Sequence, residues 1–254
     1  MGDGTDRSFR HALVVGASSG IGEALAMRLA VEGARVALVA RRERELRRVA
    51  SEIDSAAGDQ RALVFPHDVR NVDEVPTLFQ EIAHALGGLD LVVYAAGVLP
   101  HVEPDEYDTA KDGEMLAVNL LGAVAWLNPA ADRFARLGRG TIVGIGSVAG
   151  DRGRSGNPVY CTSKAGLHAY LEALRNRVAR FGVKVVTVKP GFVDTAMTRG
   201  MDGIFWLISP DRAAEIICRA AHRGAVTAYV PARWRAVMTV IRSIPSFIFT
   251  RLGI

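Results

Sequence analysis

Six short runs, apolar at almost every position and separated by longer amphipathic stretches, constrain this chain most: His11-Ala-Leu-Val-Val15, Arg35-Val-Ala-Leu-Val39, Arg61-Ala-Leu-Val-Phe65, Leu89-Asp-Leu-Val-Val-Tyr94, Thr141-Ile-Val-Gly-Ile145 and Val183-Lys-Val-Val-Thr-Val188. A strand with one wet face alternates apolar and polar residues, whereas a continuous apolar run belongs to a strand covered on both sides. The stretches between them, at about 20–33, 42–57, 72–86, 113–137 and 158–181, have helical spacing, and several stop at a glycine as helices commonly do. Strand and helix in regular alternation predict an α/β architecture: a doubly wound parallel sheet of about seven strands with helices on both faces. After Pro190 the rhythm changes to a loop, a helix from Pro210 to His222, a strand from Val226 to Val230 and an apolar, arginine-punctuated tail. No linker or repeat interrupts it, so a single domain over residues 1–254 is expected.

The apolar share, 49% of 254 residues, is ample for a large core and excludes disordered, collagen-like and coiled-coil chains. Two cysteines, Cys161 and Cys218, make no disulfide framework, and none of the six histidines stands at ligand spacing from a suitable partner, so no metal is expected. The net charge of +4 is unevenly placed: six arginines and no acid follow Glu215, leaving −2 over the rest. That distribution argues against a general nucleic-acid partner and draws attention to the C-terminus. Met1 to Phe9 is polar, without the apolar region of a secretory signal, and Asp6 spoils the myristoylation pattern opened by Met1-Gly2. Arg242, Pro245 and Arg251 break the best apolar run of the tail, so a spanning helix is excluded; the cysteine usage leads to the expectation of a reducing cytoplasm, with membrane association left open.

The first strand leads into Gly16-Ala-Ser-Ser-Gly20-Ile-Gly22 and then directly into a helical pattern. Glycines there let the backbone approach a pyrophosphate, which free N–H groups and the helix N-terminus hold, so the loop is a dinucleotide fingerprint spaced GxxxGxG. After the second strand, at Ala40, come Arg41 and Arg42. An acid at that strand end would bind ribose hydroxyls and repel a 2′-phosphate; alanine followed by guanidinium groups favours NADP(H) over NAD. The plainer alternative is that the arginines only begin a solvated helix face.

Tyr160-Cys-Thr-Ser-Lys164 sets a phenol and an ammonium four residues apart, on one helix face. A phenol ordinarily titrates near 10, and lowering it by about two units takes roughly 2.7 kcal/mol of differential stabilisation, which a close ammonium can supply. Ser147, thirteen residues before Tyr160 and at the end of the fifth strand, is placed to hold a substrate oxygen or simply to cap a turn. Asn119 lies in an apolar helical stretch, either as a satisfied core amide or as part of a polar relay.

In this order, over about residues 10 to 195, these residues resemble the short-chain dehydrogenases/reductases, single-domain Rossmann oxidoreductases of about this length. The resemblance implies that Gly16, Ser18, Ser19, Gly20, Ile21 and Gly22 line the pyrophosphate, Arg41 and Arg42 the 2′-phosphate, and Asp68 and Val69 the adenine. It implies that Ala96 and Gly97 border the cofactor and that Pro190, Gly191, Val193 and Thr195 close over the nicotinamide. Tyr160 becomes the general acid/base, Ser147 the carbonyl-polarising group, Lys164 the partner of Tyr160 and of the nicotinamide ribose, and Asn119 the holder of a relay water. The chain departs from the family's pattern at Val15, where a threonine is common, and at Tyr94-Ala-Ala-Gly97, where two asparagines usually precede the alanine and glycine. Local rigidity is the property these departures bear on. A homodimer or homotetramer is expected, although the glycine-paired ending that favours tetramers is missing.

Residues 192–209 are rich in large apolar side chains, which in this family resembles a substrate lid and implies a hydrophobic carbonyl or alcohol; packing on the core is the alternative. The tail, about 232–254, combines Trp234, Phe247, Phe249 and four arginines, and three readings are open: a peripheral contact with an anionic membrane, a cover over the active site, or a dimer contact. Rivals to an enzyme are a catalytically idle NADP-binding regulator and a membrane-peripheral scaffold.

Overall fold

The computed structural model describes residues 8–252 except 104 and 202. The readings on Met1, Gly2 and Asp6, and the last two residues of the tail, lie outside the described residues. Seven strands, β1 (His11–Val15), β2 (Arg35–Ala40), β3 (Ala62–Pro66), β4 (Leu91–Tyr94), β5 (Thr141–Ile145), β6 (Lys184–Pro190) and β7 (Thr227–Val230), form one sheet in the order β3-β2-β1-β4-β5-β6-β7. Every neighbouring pair is parallel. The predicted 89–94 strand is two residues shorter because the Asp90 carboxylate turns to the Arg10 and His11 N–H groups at 2.9 and 3.2 Å, tying β4's approach to the start of β1.

The period of two along each strand sorts the core into two layers. Ala12, Val14, Val36 and Leu38 face one side, under α1 (Gly20–Val31), α2 (Glu43–Ala57) and α7 (Pro210–Arg223). Leu13, Val15, Ala37 and Val39 face the other, under α3 (Val75–Leu86), α5 (Gly122–Leu137) and α6 (Pro158–Val178). Both faces are buried, which explains runs without polar alternation.

The predicted helix 113–137 is longer and interrupted. It begins as α4 (Thr109–Leu116), where the Asp108 carboxylate accepts from Ala110 N and Lys111 N at 2.8 and 3.2 Å. A π-helical turn over Ala117–Leu121 then separates α4 from α5. There the Gly122 N–H reaches back five residues to the Ala117 carbonyl, and the Val118 carbonyl accepts from the hydroxyl of Tyr94 at 2.5 Å. The side chain that departs from the family pattern therefore braces the turn carrying Asn119. Such turns are frequent where a helix must re-aim one side chain.

The tail folds into α8 (Trp234–Ser243) and α9 (Ser246–Phe249). Trp234, Val237, Met238 and Ile241 recur at helical spacing and pack with Val148, Phe192 and Tyr229, so α8 directs its apolar stripe inward.

Candidate active site

Chain connections diverge to opposite sides of the sheet between β1 and β4, and the crevice at the carboxyl ends of the strands opens there. The glycine loop fills its floor. Gly16 has φ +93°, and a Cβ on it would lie 2.4 Å from Ala96 N; a Cβ on Gly22 would lie 2.1 Å from the Gly16 carbonyl oxygen. Ser19 caps α1 with extended backbone and no side-chain capping bond, leaving first-turn N–H groups for an anion. Arg42 reaches across from the start of α2 and donates through Nη2 to the Ser18 and Ser19 hydroxyls at 3.0 and 2.9 Å. Arg41 is half exposed, 4.0 Å from Asp68, whose carboxylate Arg70 grips and holds below the usual range. A close-packed glycine cradle rimmed by two guanidinium groups fits the phosphates of a dinucleotide. Ile21 is partly buried and Val69 buried beside this rim.

At the end of β4 the structure brings Gly97, Asn119 and Lys164 together: a Cβ on Gly97 would be 3.4 Å from both Asn119 Oδ1 and Lys164 Nζ. Asn119 is fully buried. Its Oδ1 accepts from Val98 N at 2.8 Å, and its Nδ2 donates to the Val98 carbonyl and the Ser163 hydroxyl at 3.0 and 3.1 Å. Both amide hydrogens are thus spent within the protein.

Asn157 caps α6 by accepting from Tyr160 N at 3.1 Å, with Pro158 opening the helix, so Tyr160 sits in its first turn and Lys164 in its second. Ser147, just beyond β5, accepts from Ala149 N at 3.1 Å, and its hydroxyl lies close enough to Tyr160 to favour the phenolate. The acidic phenol expected from the lysine spacing is not found. Burial raises the Tyr160 pKa above its ordinary value and outweighs the opposing pull of the Ser147 hydroxyl. Lys164 does not offset this: its Nζ is 5.7 Å from the Tyr160 ring centroid and donates to the Ile145 carbonyl at 3.2 Å. Desolvation lowers the pKa of Lys164 itself to about 8. Of the other residues nearby in sequence, His101 is exposed against Glu103, Cys161 is buried, and His67 is buried edge-on to Trp126.

The family model for the short chain dehydrogenases matches residues 10–202. This chain is a short-chain dehydrogenase. An uncharacterized oxidoreductase of Staphylococcus epidermidis strain RP62A is 34% identical over 191 residues, 75% of this chain and 81% of the relative. One from Staphylococcus aureus strain MW2 is 34% identical over 187 residues, 74% and 79% of the two chains. Among solved structures, a putative short-chain alcohol dehydrogenase from Sinorhizobium meliloti 1021 superposes with a TM-score of 0.79 at 28% identity, over 89% of this chain and 96% of that one. A dehydrogenase/reductase from the same organism gives 0.78 at 29%, over 87% and 92%. Membership makes the chain an oxidoreductase of a family that uses nicotinamide cofactors, NAD or NADP.

In this short-chain dehydrogenase the segment after β6 carries several aromatic side chains, Phe192, Phe205 and Trp206. Pro190 pairs with Val230, and Val193 bridges to Ile208, so the 192–209 loop leaves and rejoins the body at one point. Thr195 stands over the cradle, its methyl 3.0 Å from where a Gly20 Cβ would be. Trp234, absent from the expected site, packs so closely on Gly191 that a Cβ there would fall 1.9 Å from its indole nitrogen. It also meets Phe192, Phe205 and Trp206 with ring centroids 5.8, 5.1 and 5.7 Å away. The aromatic content of loop and tail was the available signal; their pairing across 28 residues was not visible. No described helix is long and apolar enough to cross a membrane.

Proposed function

We propose that the protein is an NADP(H)-dependent oxidoreductase moving a hydride between nicotinamide and a carbonyl or secondary alcohol of a hydrophobic small molecule, with Tyr160 as general acid/base. The observation that carries this is the placement of the Ser147 hydroxyl near the Tyr160 phenol at the carboxyl end of the sheet, with Lys164 buried one turn further along α6. Arg42 on Ser18 and Ser19, with Arg41 alongside, supports NADP(H).

A bound nicotinamide supplies or takes up the hydride. Ser147 holds the substrate oxygen and polarises its carbonyl. Burial keeps the Tyr160 phenol protonated at neutral pH, so the residue donates its proton to that oxygen in reduction and recovers it in oxidation. A charged Lys164 favours the phenolate left behind. Asn119 holds Val98 and Ser163 in place around the lysine. The aromatic loop supports an apolar substrate. As a working whole, the protein acts in the cytoplasm as a homo-oligomer, and its exposed Phe247, Ile248 and Leu252 with the tail arginines touch anionic membrane.

Hydrophobic ketones are incubated with the natural protein and with Tyr160→Phe while NADPH absorbance is followed. The expected result is turnover more efficient with NADPH than with NADH, falling at least about 100-fold in the variant with NADPH binding kept. Unchanged turnover in Tyr160→Phe overturns the acid/base role, and equal efficiency with both cofactors overturns the preference. Binding of NADPH without turnover by the natural protein leaves the idle NADP-binding protein.

A further inference from the structure

Two turns beyond Tyr160, α6 carries His168 toward the Ser147 turn, and nothing in the proposed chemistry uses it. Its Nε2 accepts from the Ser147 N–H at 3.4 Å. That bond leaves the imidazole proton on Nδ1, which faces Asp151 Oδ1 at 3.7 Å. Asp151 is itself fixed: its side chain is 2% exposed and accepts from Lys189 Nζ at 2.5 Å and the Tyr229 hydroxyl at 2.7 Å. The ring also fills a slot shaped by two glycines. A Cβ on Gly146 would lie 2.2 Å from Nε2, and one on Gly150 would lie 2.7 Å from Cε1. Only glycine on either side of Ser147 lets the ring reach its backbone. Burial pushes the His168 pKa down to about 3, so the ring is neutral and an acceptor throughout the neutral range.

We propose that His168, held from behind by Asp151, is a positioning residue for the Ser147 hydroxyl: its Nε2 accepts the Ser147 N–H and fixes the turn from which that hydroxyl meets Tyr160. The inference rests on the role given to Ser147 above. It identifies a carboxylate, an imidazole and a backbone amide in series, anchored on β6 and β7, that set the angle of one hydroxyl. A network of this kind acts on the rate of the chemical step rather than on cofactor affinity, because it touches neither the glycine cradle nor the arginine rim.

Amide hydrogen exchange over residues 145–151 and steady-state kinetics with NADPH test it in the natural protein, His168→Leu, His168→Gln, Asp151→Asn, Ser147→Ala and the Ser147→Ala/His168→Leu pair. His168→Leu is expected to speed exchange at Ser147 and lower kcat about 10- to 100-fold while leaving KM for NADPH unchanged. Glutamine, whose side-chain oxygen can accept the same N–H, restores most of the rate. Asp151→Asn gives the same pattern more mildly and serves if the leucine variant does not fold. In the Ser147→Ala background, His168→Leu costs nothing further. Unchanged exchange at Ser147, or losses from the two single variants that multiply, overturns the inference. Exchange needs no turnover, so a natural protein that reduces none of the ketones overturns the proposed activity while His168 is still judged by exchange.

Discussion

An ammonium beneath a cleft destabilises the fold wherever its charge lacks a counter-ion, and Lys164 donates to a neutral carbonyl, that of Ile145. Desolvation brings its pKa from 10.5 to about 8. Between those values the unfolded chain keeps a proton that the folded chain has released, so this residue makes stability rise with pH across the window, and the whole penalty is present below it. Lys164→Met removes the charge and keeps the stem. The variant is expected to be more stable than the natural protein at pH 7 by up to about 3 kcal/mol, the gap closing as pH rises through 8 toward 10.5. Thermal unfolding at pH 7 and pH 10 checks this, and a variant less stable at pH 7 would show that the charge is compensated after all. The same scale shows what the sequence holds and what it hides. The spacing of Tyr160 and Lys164 places them on one face, but the balance of burial against pairing is a property of the closed structure, and here burial wins. Tyr94 is similar: as a departure from a pattern it suggests lost bracing, whereas its hydroxyl meets a carbonyl that only the π-helical turn presents.

Among elements, α8 joins parts distant in the chain. Its inward stripe rests on Val148 in the Ser147 turn and on Phe192 in the loop after β6, and Arg152 donates to the Ile241 and Ile244 carbonyls at its far end, both at 2.6 Å. The tail therefore packs on the two segments flanking the proposed substrate site, in keeping with the cover among its three sequence readings. Its amphipathic spacing was legible, and which surface receives the stripe was not, because periodicity fixes a face without naming its partner. Trp234→Ala empties the centre of this contact. Truncation of a buried tryptophan costs about 3–5 kcal/mol when neighbours do not collapse into the space. The expected outcome is faster proteolysis within residues 196–207, and a KM for hydrophobic ketone that rises more than kcat falls. Proteolysis as slow as in the natural protein would show that the loop holds itself in place without the indole.

At the scale of the molecule, the alternation of runs and helical stretches was enough for the parallel sheet and its two layers, since burial on both faces leaves its mark on every strand residue. The order of the strands was not read from the sequence; the structure shows it, with the glycine loop after β1 at the point where the doubly wound sheet reverses. Charge is the remaining global property, and it bears on the tail. With its apolar stripe turned inward, α8 does not offer a membrane the broad face of an interfacial helix. What remains exposed are Val240, Phe247, Ile248 and Leu252 together with Arg233, Arg235, Arg242 and Arg251. Each arginine near an anionic surface contributes about 1 kcal/mol, an attraction that fades as the screening length shrinks from about 10 Å at 0.1 M salt to about 3 Å at 1 M. Four scattered side chains give too little apolar contact to hold the protein once that attraction is gone. Flotation is therefore expected with phosphatidylcholine vesicles containing phosphatidylserine at low salt, and not with phosphatidylcholine alone or at 1 M salt. Phe247→Asp with Ile248→Asp should abolish it while leaving ketone reduction intact, because neither side chain is among those around Trp234. A natural protein that stays in the soluble fraction with anionic vesicles at low salt would assign the tail to the site cover alone, its arginines then serving only to solvate that surface.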